Sequence, residues 1–357
     1  MLFMVQGHTI NVLLAPQYAG GAFSNAWLYL RGLTSCTFLM LSGFSFSVAT
    51  VRRWPEYRTP GRRVYRRLGR YAMLLVLGYG MRFPARSFAG LAAVSPAQWQ
   101  TFAVVDILQL IAVTLTLLQV GVWLLDSPGR LMAWSLGAAA VTVLVTPFVS
   151  HAVTAHDARI FLGAYLTAGT GSIFPALPWA AYVFFGAALG VWYSRPAAVG
   201  PGTDRAPAFL KIGLGMVAAG TLLHALPWQP YGAIEFWAVS PNLFLAKAGS
   251  VLIGMAGTIR LVRGVTKLPG IVTALSRESL LVYLAHVVLL YGSAWSVGLT
   301  QSVGNRLETG PVVATIMVLL AVMSLLAWTW FLCKRHLSSL AILVRAVAAT
   351  ILIYGLM

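Results

Sequence analysis

Apolar runs of helix length follow one another along the whole chain, separated by short polar or Gly/Pro-rich breaks. They predict helices at about 2–15, 28–50, 71–81, 102–125, 131–149, 179–193, 208–226, 243–259, 272–291 and 311–332, with a last one closing the chain. A helix needs about 20 apolar residues to cross the hydrocarbon of a bilayer. Backbone groups in lipid must be satisfied within their own segment, which favours helices. The ten-residue alternation of an outer-membrane barrel is missing. The expected fold class is therefore all-α: a polytopic transmembrane helix bundle of about eleven spans. The first run is short for a span, and Gln6, His8 and Asn11 interrupt it. With no basic residues ahead of it, it does not read as a signal peptide. The expectation is a first helix that is either truncated at the start or tilted and incomplete.

Composition strengthens this reading. Of 357 residues, 59% are hydrophobic and 9% charged, against about 25% charged in soluble proteins. Mean hydropathy is +0.81. The net charge of +17 would suggest nucleic acid on a soluble chain. Here most Lys and Arg gather in the breaks near 51–70, 126–130, 194–211, 260–270 and 333–336. The positive-inside rule then makes those breaks, and the N-terminus, cytoplasmic. The expected partner is the lipid bilayer and not nucleic acid; the expected location is a membrane, multi-pass. The chain reads as one integral-membrane domain over 1–357, with no internal repeat. Cys36 and Cys333 read as small packing residues. The break at 150–174 holds His151, His156, Asp157 and Arg159, which lack a third ligand at metal spacing and read as a solvated loop; no metal is expected. The aromatic break at 227–242, with Trp228, Tyr231, Phe236 and Trp237, reads as interfacial.

The chemistry lies in the few polar groups within the apolar runs. A charged side chain at membrane depth costs at least ~2.5 kcal/mol, so such groups usually face a bundle interior or a cavity. His8, Asp106 and His286 fall in three different helices, all toward the outer end. His286 lies ~8 Å deep at 1.5 Å per residue. Ser279, Tyr283 and His286 share one helix face. A histidine oriented by a carboxylate is a general acid/base unit, which makes His8 the candidate base with Asp106 or His286 orienting it. Tyr283 or Gln109 could donate to a developing oxyanion. Each has a packing alternative: an embedded histidine bonded to a backbone carbonyl, or Asp106 paired with Arg31 or Arg82. Arg62, Arg63, Arg66, Arg67 and Arg70 crowd the most charged break. They read either as a headgroup patch or, with Arg277, as a holder of donor phosphates.

Several stretches resemble a known family. They are residues 3–9 (FMVQGHT) and 31–44 (RGLTSCTFLMLSGF), Asp106 to Gln109 (DILQ), the Pro-containing 174–179 with Gly186 and Gly190, and 277–286 (RESLLVYLAH). In this order they resemble bacterial members of the heparan-alpha-glucosaminide N-acetyltransferase family, and the wider group that includes acyltransferase family 3. The resemblance implies acyl transfer across the membrane, from cytosolic acyl-CoA (acetyl-CoA) to a hydroxyl or amine of an extracytoplasmic glycan or lipid-linked acceptor. It implies His8 as the catalytic histidine, with Gln6 and Arg31 beside the substrate, and allows a homodimer. The Asp-x-x-Arg-Gly run that usually precedes the family's first helix is missing, which again points to a truncated start. Two competing expectations share the composition: a secondary transporter or exporter, which would consume no thioester, and a non-catalytic membrane scaffold.

Overall fold

A computed structural model describes residues 2–18, 22–152, 160–195, 204–226, 228–229, 231 and 240–356. Its elements are helices, with isolated bridges among the described residues. In chain order they are α1 (Leu2–Leu13), α2 (Ala22–Val51), α3 (Trp54–Arg58), α4 (Arg62–Met81), α5 (Pro96–Ala103), α6 (Ile107–Leu124), α7 (Pro128–Ala152) and α8 (Ile160–Leu166). They continue as α9 (Ala176–Ser194), α10 (Ala206–His224), α11 (Pro241–Leu261), α12 (Gly270–Arg277), α13 (Ser279–Tyr291), α14 (Leu299–Ser302), α15 (Thr309–His336) and α16 (Ser338–Leu356). Seven of the described helices are long and apolar enough to cross a membrane; the bent pair α12–α13 would make an eighth. The all-α polytopic membrane architecture stands.

Four boundaries differ from expectation. The basic break at 51–70 is largely helical: α3 and the first turns of α4 carry all its arginines but Arg52 and Arg53, which lie in the turn before α3. Alternation of Arg62, Arg66 and Arg70 with Val64 and Leu68 gives α4 a polar stripe, and the helix continues through it. The polar excursion at 82–101 contains the start of α5, which ends before Asp106, and the expected loop at 150–174 contains α8. The helix expected over 272–291 breaks at Glu278, where α12 and α13 meet at 70°. His156, Asp157, Arg159, Phe236 and Trp237 lie outside the described residues.

The chain divides into two compact units. The first comprises 1–34, 81–99 and 264–357. Its core joins α1, α13 and α15 through Val5, Val12, Leu13, Val282, Leu290, Ile316 and Met323. Val5, His8 and Val12 fall at spacings of three and four, so His8 shares the face that α1 turns to this core. Beyond α1, Leu307 N–H donates to Leu13 O and Ala15 N–H to Leu307 O, both at 2.9 Å. This backbone bridge ties the end of α1 to the approach of α15. Gly292, at φ +82°, ends α13 directly after Tyr291, a conformation that suits glycine. The 81–99 segment docks on the turn that follows, with Trp295 Nε1 donating to Arg86 O at 2.9 Å and Phe83 stacked on Trp295.

The second unit comprises 35–80 and 100–263. Here α2 and α9 touch backbone to backbone: a Cβ on Gly43 would strike Val183 O, and one on Gly186 would strike Met40 O. Helices without a water-driven hydrophobic force associate through such small residues. The entry to α6 is fixed by Ser172, whose Oγ accepts from Val105 N–H at 3.0 Å, and by Val105 O, which accepts from the N–H groups of Ile173 and Phe174.

The glycine contact makes a direct prediction. Gly186→Ala should lower the thermal unfolding midpoint of the purified protein, with an overpacking cost of about 1–3 kcal/mol. Gly137→Ala, where the added methyl meets open space, should leave it unchanged or raise it slightly.

Candidate active site

Three rings meet in the first unit. His8 on α1 places Nδ1 2.9 Å from the Tyr291 hydroxyl at the end of α13. The His8 and Tyr291 rings are edge to face at 5.6 Å, and the His8 and His286 rings are 5.4 Å apart. Tyr283, one turn before His286, is buried with its ring 5.8 Å from the His286 ring. His8 of α1 thus meets both His286 and Tyr291, and Tyr283 adjoins it through His286.

His286 is fully buried, and its geometry fixes its tautomer. Nδ1 lies 2.6 Å from Val282 O. A carbonyl can only accept, so Nδ1 carries a proton and donates it. In the neutral ring Nε2 then holds a bare lone pair, and this atom has no hydrogen-bond partner among the described residues. A buried polar atom left unpaired costs about 1–3 kcal/mol; such a cost recurs where an atom must stay available for chemistry.

Arg31, near the start of α2, lies across α1 beside this cluster. Its Nη1 donates to Asn11 Oδ1 at 2.8 Å, and its methylenes pass over Gly7, where a Cβ would come within 2.9 Å of Cγ. Glycine at that position is what lets the side chain cross the helix. Gln6 is partly exposed on the same helix.

Asp106 and Gln109 belong to the second unit. Asp106 stands just before α6 and not within a helix, because its Oδ1 accepts from Ile107 N–H at 2.9 Å as an N-cap. Gln109 is fully buried against Gly78 of α4, and among the described residues neither of its amide atoms has a hydrogen-bond partner.

The arginines of α4 separate by role. Arg67 is half-buried: its guanidinium lies 3.6 Å from the Tyr57 ring centroid and 4.6 Å from that of Phe46. It donates to Thr50 Oγ1 at 2.9 Å and Gln119 Oε1 at 3.1 Å. Burial holds its pKa below the ordinary guanidinium value. Arg63 pairs with Glu56 at 2.5 Å. Arg62, Arg66 and Arg70 form an exposed stripe at four-residue spacing. Arg277 ends α12, with its guanidinium 5.8 Å from the Phe331 ring centroid.

Tyr291 carries no signal of its own in the sequence, and only the packing of α1 on α13 gives it a place beside histidine; Asn11 stands out as a polar residue in an apolar run, but its pairing with Arg31 of α2 is seen only in the structure. Lys247 does carry one, an ionisable group inside an apolar run. It is buried on α11 over the Trp179 ring. Among the described residues no three His, Cys, Asp or Glu side chains group to hold a metal ion.

A polytopic helical membrane protein with an imidazole pair and a phenol gathered in one unit has the parts for proton transfer within its bundle. The sequence profile of the family described as "Heparan-alpha-glucosaminide N-acetyltransferase, catalytic" matches residues 1–224. The chain belongs to that family, and its class of function is membrane acyl transfer of the acetyltransferase type. The match includes α1 with His8 and ends before α13. No curated protein and no solved structure matches the chain.

The division among the arginines is testable. Arg67→Ala should destabilise the protein by about 1–3 kcal/mol, because Gln119 loses a charged donor, read as a drop in thermal midpoint. Arg66→Ala should leave the midpoint within about 0.5 kcal/mol of the parent, as exposed substitutions do.

Proposed function

We propose that the protein transfers an acyl group, acetyl in the first instance, from cytosolic acyl-CoA to an amine or hydroxyl of an extracytoplasmic glycan or lipid-linked acceptor. The observation that carries this reading is the His8–His286–Tyr291 cluster, in a chain whose family name describes an N-acetyltransferase.

A thioester is already activated toward acyl transfer. The protein's task is to place the acceptor and take its proton. In the proposed mechanism His8 Nδ1–H donates to the Tyr291 hydroxyl, which leaves His8 Nε2 as the base. The acceptor's lone pair attacks the thioester carbonyl carbon while its proton passes to His8 Nε2. The oxyanion is met by a donor such as the Tyr283 hydroxyl. As the tetrahedral intermediate collapses, the C–S bond breaks and the imidazolium returns the proton to the departing thiolate. The His286 lone pair steadies the positive charge on His8 between these two transfers. Arg31, anchored on Asn11, offers a cation beside the acceptor. The exposed arginines of α4 (Arg62, Arg66 and Arg70) attract anionic donor or lipid toward the membrane face that carries them.

The deciding experiment follows thiol release from acetyl-CoA by membranes containing the protein, with a glycan amine as acceptor. His8→Ala should lower turnover by about 10²–10⁴-fold, the usual range for loss of a general base, while folded protein accumulates normally. Tyr291→Phe should keep the fold and cost less than His8→Ala. Full turnover in the His8 variant would remove the histidine from the mechanism.

A further inference from the structure

At the other end of α13 a second feature falls outside the residues matched to the family. A cleft of about 530 Å³ is lined by Thr273, Arg277, Glu278, Phe331, Lys334 and Arg335. It lies where α12 turns into α13 and where α15 ends, within the first unit. Three of its six residues are cations. The one carboxylate, Glu278, is buried and already neutralised: Lys334 Nζ lies 2.5 Å and 2.6 Å from its two oxygens. The net charge of the lining is therefore positive, carried by the exposed Arg277 and Arg335. Beside Arg277 the Phe331 ring offers an apolar face, with the guanidinium 5.8 Å from its centroid.

We propose that this cleft seats the phosphate-bearing end of a free nucleotide thioester, the donor of the reaction above; the assignment of donor rests on that reading. Guanidinium forks match phosphate oxygens, and the volume falls within the range of small-molecule sites. The basic residues at the end of α15 mark this as the cytoplasmic end of that helix by the positive-inside rule. An aromatic ring beside cations suits a flat base carrying phosphates, and it is what favours a nucleotide over a lipid headgroup. The axial distance fits as well. From Glu278 to His286 along α13 the rise is about 12 Å at 1.5 Å per residue. Phosphates held at the start of α13 thus leave an extended thioester arm to run along the same helix toward the imidazole pair. The Glu278–Lys334 pair lines the cleft as a neutral unit and leaves the phosphate charge to the two arginines.

The test uses the full chain in nanodiscs and coenzyme A as probe, with direct measurement of its binding. Arg277 and Arg335 are exposed, so the double variant Arg277→Gln, Arg335→Gln should fold. It should bind coenzyme A at least tenfold more weakly. The affinity for pantetheine, the arm without its phosphates, should not change. Equal coenzyme A affinity in parent and variant would overturn the proposal, as would a parent that binds none. Loss of co-purified anionic lipid from the variant with coenzyme A binding intact would reassign the cleft to headgroups and equally overturn it. Coenzyme A binding through these arginines without any thioester consumption by the parent would leave the site standing and defeat the acyltransferase reading instead.

Discussion

The decisive constraint is the hydrogen-bond requirement of an imidazole inside a membrane-spanning bundle. Water cannot be relied on there, so each ring nitrogen must find a partner in the protein or remain an energetic liability. His286 meets half of this requirement with the carbonyl one turn back on its own helix. That local bond needs no neighbour and fixes which nitrogen carries the proton. The other nitrogen is left bare, facing the question of what should pair with it. His8, brought alongside by the Val5–Val12 face of α1, supplies the nearby ring, and Tyr291 in turn holds His8. A site of two imidazoles and a phenol thus follows from one intrahelical bond and one helix–helix contact.

Much of the architecture was open to reading from the chain alone, because hydrocarbon imposes a length and a composition on every segment that crosses it. The apolar runs locate most long helices to within a few residues. The departures have definite physical causes. Polar α4 continues as a helix through its arginines because Arg67 finds aromatic faces and two acceptors there. The helix over 272–291 breaks at Glu278, whose buried carboxylate is paired with Lys334, far along the sequence; no window of hydropathy contains that pairing. Asp106 lies outside the helix because an aspartate that accepts from the next backbone N–H caps a helix more readily than it extends one.

The site was half visible. Histidines in apolar runs stand out by cost alone, so His8 and His286 could be singled out, and the structure gathers them. A tyrosine at a helix end does not stand out, since aromatic residues are common at interfaces; Tyr291 becomes distinctive only when α1 is laid against it. The arginines were visible as a set but not as individuals. Arg67 is tied into packing, Arg63 is paired, and Arg277 belongs with Lys334 and Arg335 at a bend that had no counterpart in the linear pattern.

The backbone bridge between Leu13, Ala15 and Leu307 restricts how this site can move. It pins the end of α1 to the approach of α15, so α1 is not free to slide along its own axis past its neighbours. Any adjustment that His8 makes as reactants come and go must therefore be torsional, a swing of the ring about its side-chain bonds with the helix as a fixed post.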